Sequence, residues 1–224
     1  MPRLTTAILA KNEADRYLPR VIARCREFSD TVLLLDDRST DATAQVAKDL
    51  GCQVRGRSIL AGDAWGNEAP ARQELFEWGT KEAGDGWLLI NDADQVLMGD
   101  VRALTLSVEL NAWSFILYDC WSETQYRSDG YWQAHTQPRV WMVRPSRFGS
   151  DYTPVWNTRG IHTGHYPANA PLMVGVAPPE SYYWLHLGYM KPEDRVAKHQ
   201  RYRAVAAQLS PQEQAHAESI VDAT

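Results

Sequence analysis

The chain of 224 residues carries 23 Lys and Arg against 28 Asp and Glu, a formal charge of -5, with 44% apolar and 23% charged residues. That composition is globular rather than disordered, and the length is enough to bury a sizeable core. With no long basic run, broad electrostatic binding to nucleic acid or an anionic membrane is not suggested, and no apolar run of about 18 residues is there to span a bilayer.

The N-terminus leads directly into a strand-like run, without the basic and apolar blocks of a secretory signal. Leu4–Ala10 predicts a buried strand that ends at Lys11-Asn12-Glu13. Leu18, Val21, Ile22, Cys25 and Phe28 follow at helical spacing, with Pro19 in the first helical turn. Thr31–Leu35 is a second buried strand running into Asp36-Asp37. Ser39 is expected to cap the next helix, with Asp41 in its first turn and Gly51 at its end. Cys52–Val54 reads as a short third strand, and residues 55–68, with Gly56, Gly62, Trp65 and Gly66, as a loop. Pro70 opens a helix to Ala83, and Trp87–Ile90 is a fourth strand ending at Asn91-Asp92-Ala93-Asp94.

This alternation predicts an α/β fold with a mostly parallel sheet and right-handed crossovers. Ligands of such sheets bind beyond the carboxyl ends of the strands. The polar clusters Asn12-Glu13, Asp36-Asp37 and Asp92–Asp94 each follow a strand and are expected to converge on one crevice.

Further on the pattern changes. Val101–Leu110 is expected as a helix, Ala112–Tyr118 as a strand and Arg139–Val143 as an antiparallel strand. Residues 145–180 read as loop, Ser181–Leu187 as a strand bearing His186, and Pro192–Leu209 as a helix. Ser210-Pro211-Gln212-Glu213 is a capping-box pattern for a last helix to about Asp222. Of nine Trp and ten Tyr, fourteen fall within residues 113–189, so the second half reads as an irregular, aromatic-rich region. Cys25, Cys52 and Cys120 are odd in number and lack Cys-x-x-Cys spacing, which points to buried free thiols in a reducing cytoplasm.

Asp92-Ala93-Asp94 is the sharpest chemical signal. Hard divalent cations take oxygen ligands, and Mg2+ typically uses one or two carboxylates together with substrate phosphates. A polar turn after a strand selects the same residues for a different reason. Asp36 suits a base N–H or a ribose hydroxyl, whereas for Asp41 alone helix capping is the favoured reading. Arg72 in a first helical turn suits a forked contact to base or phosphate. His186, after Tyr182-Tyr183-Trp184-Leu185, suits a metal shell or a hydrogen-bonded core position. Arg139, Arg144, Lys191, Arg195 and Arg201 read as surface charge or, together, as a local basic groove.

Taken together these residues resemble the GT-A-fold glycosyltransferases of family two. Residues 4–13 resemble the family's first strand and its terminal Asn-Glu, and Asp36-Asp37-Arg38-Ser39-Thr40-Asp41-Ala42-Thr43 its Asp-Asp-Gly-Ser-x-Asp-x-Thr signature. Ala71-Arg72-Gln73 is similar to its Ala-Arg-Asn element, and Asp92-Ala93-Asp94 to its metal-binding Asp-Ala-Asp. Arg139–Arg144, Gly160-Ile161-His162 and His186-Leu187-Gly188-Tyr189, followed by a basic helix through Lys198 and Arg201, resemble a soluble branch that includes lipopolysaccharide-core and peptide glycosyltransferases.

The resemblance implies a single GT-A domain over 1–224: a nucleotide-sugar half at 1–98, an irregular acceptor-side half at 99–190 and C-terminal helices at 191–224. It implies donor contacts from Ala10, Asn12, Glu13, Asp36, Asp37, Arg72, Asp92, Ala93 and Asp94, and Mn2+ or Mg2+ held by Asp92, Asp94 and His186. The implied reaction is inverting transfer of a sugar from a nucleotide-diphosphate donor, UDP-sugar by default. The acceptor is open among carbohydrate, lipid-linked sugar, peptide and modified nucleic-acid base. Arg38 stands where the family has Gly and could crowd or contact the donor; Thr163 stands where the branch has Glu, so the base is sought among Asp151, His162, Glu123 and Asp119. Two other readings compete. A nucleotidyltransferase usually carries a Gly-rich basic loop, which Ala10-Lys11-Asn12-Glu13 lacks. A non-catalytic sugar-binding module would use the aromatics of 113–189 as stacking platforms, although core packing explains them too.

Overall fold

The computed structural model describes residues 1–58, 67–129, 132, 139–157 and 164–221. Four parallel strands form its first half: β1 (Leu4–Ala10), β2 (Thr31–Asp36), β3 (Gln53–Gly56) and β4 (Trp87–Asp92), connected through α1 (Leu18–Phe28), α2 (Thr43–Asp49) and α3 (Ala69–Ala83). In β2 the side chains alternate. Val32 and Leu34 join one apolar cluster with α1, and Leu33 and Leu35 join another with α3. β4 does the same with Trp87 and Leu89 against Leu88 and Ile90. A sheet covered on both faces needs such continuous apolar runs, which is why these strands are legible in the sequence.

β1 lies between β2 and β4. The chain therefore builds outward on one side of β1 and then returns to the other, and the crevice of a topological switch opens at the carboxyl end of β1. Register brings Ala10 beside Asp36 and Leu9 beside Asp92.

The second half extends the sheet through β5 (Gln95–Met98), β6 (Ala112–Asp119), β7 (Arg139–Val143), β8 (Val174–Val176) and β9 (Tyr183–His186), in the order β3-β2-β1-β4-β7-β6-β9-β5 with β8 on β6. β7 is antiparallel to β4 and β6. Two helices, α4 (Pro192–Ala204) and α5 (Pro211–Glu218), close the chain over a third cluster of Trp132, Tyr189, Tyr202, Leu209, Ala217 and Ile220. Among the described residues no helix is long and apolar enough to cross a membrane. Cys25, Cys52 and Cys120 are buried free thiols.

Several expectations need correction. The helix expected at Val101–Leu110 is a 3-10 helix that stops at Leu106. The indole N–H groups of Trp87 and Trp113 take the carbonyls of Thr105 and Leu104, which a continuing α-helix would need. Ser39 does not cap α2. Asp41 accepts from Thr43 N at 2.9 Å, while Ser39 Oγ accepts from Asn12 N. The helix expected over Pro192–Leu209 leaves α geometry after Ala204 and resumes as a 3-10 turn at Ala206–Gln208. The last helix has its capping box at Ser210, is α-helical to Glu218 and continues as a 3-10 turn to Val221; Asp222 lies outside the described residues. β5 has no counterpart among the expected elements, and β8 lies within the span expected as loop. Both are too short to show a period of two.

Candidate active site

The loops after β1 and β2 are stitched together by side chains acting on backbone. Asn12 N donates to Ser39 Oγ and Asn12 Oδ1 accepts from Thr40 N at 2.8 Å. Glu13 N donates to Thr43 Oγ1 at 2.7 Å and Ala14 N to Asp41 Oδ2 at 3.2 Å. Asn12 and Arg38 both have left-handed backbones, with φ of 54° and 59°. For Asn12 this is an ordinary choice; for Arg38 it shows why Gly is suited to the position.

The paired aspartates divide their work. Asp37 N donates to the carbonyl of Ala10, and the Asp37 carboxylate accepts from Arg57 at 2.8 Å, both side chains being 0% exposed. Asp36 accepts from Ser39 N through Oδ2, while its buried Oδ1 has no hydrogen-bond partner among the described residues. Glu13 holds Arg16 through Oε1, and among the described residues its buried Oε2 likewise has no hydrogen-bond partner. Burial pushes the Glu13 carboxyl up to about 7 against the pull of Arg16, and the charge of Asp94 adds to the rise. Buried polar atoms without partners are rare and call for an explanation such as an absent ligand.

At the end of β4, Arg72 from α3 donates to Asp92 Oδ1 at 2.8 Å, and Gln95 Nε2 donates to Asp92 Oδ2 at 3.0 Å. His165 Nε2 lies 3.5 Å from the same oxygen. Burial works against ionisation of Asp92, but Arg72 and then His165 outweigh it and hold the carboxyl well below its usual range. Nη1 of Arg72 is buried without a hydrogen-bond partner among the described residues. Ala93 is buried in the core and serves as packing.

Asp94 faces His186, although 92 residues separate them in the chain. The Asp94 carbonyl accepts from Leu187 N at 2.8 Å, and strand register sets Gln95 opposite His186 and His186 opposite Asp119. His186 Nδ1 lies 2.7 Å from Asp119 Oδ1, so an ionised Asp119 accepts from Nδ1–H and leaves Nε2 aimed at Asp94 Oδ2, 3.3 Å away. Lys198 of α4, 9% exposed at its side chain, completes the group: Nζ is 3.1 Å from His186 Nε2 and 3.6 Å from Asp94 Oδ2. Burial opposes ionisation of Asp94, yet His186 and Lys198 hold its carboxyl far below the usual range. A Cβ added to Gly188 would come within 2.2 Å of Asp94 Oδ2, 2.8 Å of Lys198 Nζ and 3.1 Å of His186 Nε2. Only glycine leaves this cradle open.

The structure thus gathers Glu13, Asp36, Arg72, Asp92, Asp94 and His186 around the carboxyl ends of β1, β2 and β4. Asn12 and Asp37 are engaged in holding the loops, and Ala10 contributes its carbonyl to the same task. Asp119, a base candidate, is committed to His186, and Glu123 is exposed and paired with Arg20 of α1. Asp151 is exposed and accepts from Ser150 Oγ, and His162 lies outside the described residues. Of the five basic residues considered for a groove, Arg144 donates to the carbonyl of Asp85, and Arg195 to those of Trp121 and Tyr189. A cleft of about 550 Å³ near Arg24, Asp30 and Arg102 lies at the amino edge of β1, where Arg24 holds the carbonyls of Leu97 and Gly99 and Arg102 holds Asp30. Sequence reasoning missed Lys198, Gly188, Gln95 and His165 as members of the site; the His-Leu-Gly-Tyr segment was the one available signal. Among the described residues no group of three or more His, Cys, Asp or Glu is gathered that could hold a metal ion.

A family model described as Glycosyl transferase family 2 matches residues 5–155. An uncharacterized glycosyltransferase of Rickettsia prowazekii (strain Madrid E) is 41% identical over 54 residues, which are 24% of this chain and 18% of that protein. A second, from Rickettsia typhi (strain ATCC VR-144 / Wilmington), is 39% identical over 54 residues, again 24% of this chain and 18% of that protein. The match therefore spans under a fifth of the length of these curated relatives. Among solved structures, S. aureus TarS 1-349 in complex with UDP aligns over 98% of this chain and 69% of its own, with a TM-score of 0.57 and 14% identity, which is a likeness of fold.

Proposed function

The chain belongs to glycosyl transferase family 2, and from that premise we propose that it moves a sugar from a nucleoside-diphosphate donor to an acceptor, assisted by a divalent cation. The observation that carries this reading is the convergence of buried oxygens on Asp36 and Glu13, without hydrogen-bond partners among the described residues, with the Asp94–His186 pair in a cradle kept open by Gly188. Asp36 Oδ1 is suited to a base N–H or a ribose hydroxyl. Arg72 keeps Asp92 in place through Nη2 and has Nη1 left for base or phosphate.

The donor set fits a hard cation. Asp94 would supply a carboxylate oxygen and His186 a ring nitrogen whose tautomer Asp119 determines, and phosphate oxygens of the donor would complete the shell, while Asp92 nearby is held by Arg72 and Gln95. Mn2+ and Mg2+ both match these ligands. When bound, the ion supplies positive charge to the departing diphosphate.

For the transfer we infer direct displacement at the anomeric carbon with inversion, which needs a base beside the acceptor. Asp119 and Glu123 are engaged elsewhere, which leaves Asp151 and His162 as the two candidates to mutate. UDP-sugar is the donor to test first, by analogy with the family. Carbohydrate, lipid-linked sugar, peptide and modified nucleic-acid base are the acceptor classes to screen.

Thermal unfolding with a panel of nucleoside diphosphates, each with and without Mn2+, tests the donor site. One nucleotide is expected to raise the midpoint in a metal-dependent way, by roughly 2.7 kcal/mol at a hundredfold excess over its dissociation constant, with no rise in Asp94→Ala. No shift with any nucleotide would favour a module that binds sugar without turnover.

A further inference from the structure

Lys198 is the one residue of the Asp94 group for which the donor-site reading has no part. Lysine is almost never this buried without a purpose, because desolvating an ammonium is costly unless the charge is paired. Its helix does not need it there: α4 docks through Tyr202 into the third apolar cluster, and Tyr17 and Arg16 anchor its first turn through Asp194. Instead its Nζ lies 4.1 Å from the centroid of the Tyr189 ring and faces Asp94 and His186.

The contacts of Nζ are the informative part. An ammonium is donor-only, so with the ring proton held on Nδ1 by Asp119 it meets the lone pair of His186 Nε2 at 3.1 Å. The same lone pair and the same Asp94 oxygen are what a divalent cation would use. The ammonium and such an ion cannot share those two atoms, since two cations at that spacing repel strongly in a water-poor cradle. A side chain with four rotatable methylenes can move aside, and the nearest new anion in a loaded site is the diphosphate of the donor.

We propose that Lys198 is a displaceable counter-ion: it holds the cation place between Asp94 and His186 in the empty site and passes to the diphosphate when the donor enters, so that metal and nucleotide are taken up together. The inference rests on the donor-site reading above. It makes Lys198 a positioning residue whose charge suppresses metal binding by the empty protein and strengthens binding of the metal–nucleotide pair.

The test is Mn2+ titration, by calorimetry or by the electron paramagnetic resonance of free Mn2+, on wild type, Lys198→Met and Lys198→Gln, each with and without UDP. Both variants are expected to bind Mn2+ alone about tenfold more tightly than wild type, and UDP in the presence of Mn2+ about tenfold more weakly, in the range of ordinary coupling between sites. A Lys198 that only props up α4 predicts the opposite, an Mn2+ affinity unchanged or lowered. That result, in either variant that keeps the wild-type melting temperature, overturns the counter-ion role while leaving the donor site intact. Wild type that binds no Mn2+ with any nucleoside diphosphate overturns the donor-site reading, and this inference with it.

Discussion

His186 and Asp119 stand directly opposite each other in the pairing of β9 with β6, and their side chains meet at 2.7 Å on the face that carries Asp94. A carboxylate behind a histidine fixes which ring nitrogen is free. Asp119→Ala is therefore expected to weaken Mn2+ uptake with UDP by about 10- to 100-fold, the usual effect of removing such a support. Asp119→Asn, which keeps an acceptor oxygen, should fall at the mild end. Titration of both variants checks this, and unaltered affinity in Asp119→Ala would remove His186 from the metal shell.

Gly188→Ala should fold and yet lose the site. The atoms its methyl would strike are the ends of the Asp94, Lys198 and His186 side chains, which can be pushed apart without breaking the backbone. The expected result is a near-normal urea midpoint with at least a tenfold loss of Mn2+-dependent UDP binding. Wild-type binding in a folded Gly188→Ala would show that the cradle is not where the donor sits.

Arg38 holds a left-handed backbone with φ of 59°, a conformation that costs a residue with a Cβ about 1–2 kcal/mol. Arg38→Gly relieves this, less about 0.4–1 kcal/mol for the freer unfolded chain, so a net gain of about 0.5 kcal/mol is expected. Arg38→Val, branched at Cβ, should be destabilised by about 2 kcal/mol. Urea denaturation of the pair gives the sign, and equal stability in Val and Gly variants would contradict the assigned backbone.

Asp36 and Asp37 are adjacent and should behave oppositely. Asp37→Asn removes the carboxylate charge that faces buried Arg57 at 2.8 Å and is expected to cost about 3–5 kcal/mol of stability. Asp36→Asn should leave stability nearly unchanged and weaken nucleotide binding. Measuring melting temperature and UDP affinity in parallel separates the two roles.

Glu13 provides a test in pH. Its carboxyl is raised from 4.5 to about 7 in the folded protein, chiefly by burial, so the native state binds its proton more readily than the unfolded chain. The stabilisation tied to that proton is fully present below about pH 4.5 and is lost as pH rises through about 7, at a slope of at most about 1.4 kcal/mol per pH unit. The charges nearby are Arg16, Asp94, Arg201 and Lys198. Glu13→Gln lacks the titrating group, so its stability relative to wild type should grow between pH 5 and 8. Parallel pH–stability curves would count against the burial of an ionisable Glu13.

β1, β2 and β4 and the polar clusters after them were readable in the sequence alone, since a strand buried on both faces must be written as an apolar run and its end must turn polar. Glu13, Asp36, Arg72 and the Asp92–Asp94 segment could be nominated for that reason, and the resemblance to a family rested on the same local signals. What only tertiary structure decided is the other wall of the site. Asp94 meets His186 across 92 residues, and His186 meets Asp119 across 67, because β5, β9 and β6 pair in one register. A strand of four residues such as β5 has too few positions to display a period, and although the strand bearing His186 was legible, register between distant segments leaves no local trace. The division of labour between Asp36 and Asp37 was hidden likewise, since it depends on which carboxylate Arg57 reaches. The buried Lys198 and the bare Gly188 look, in the sequence, like one more helix charge and one more turn glycine; only the space between Asp94 and His186 distinguishes them.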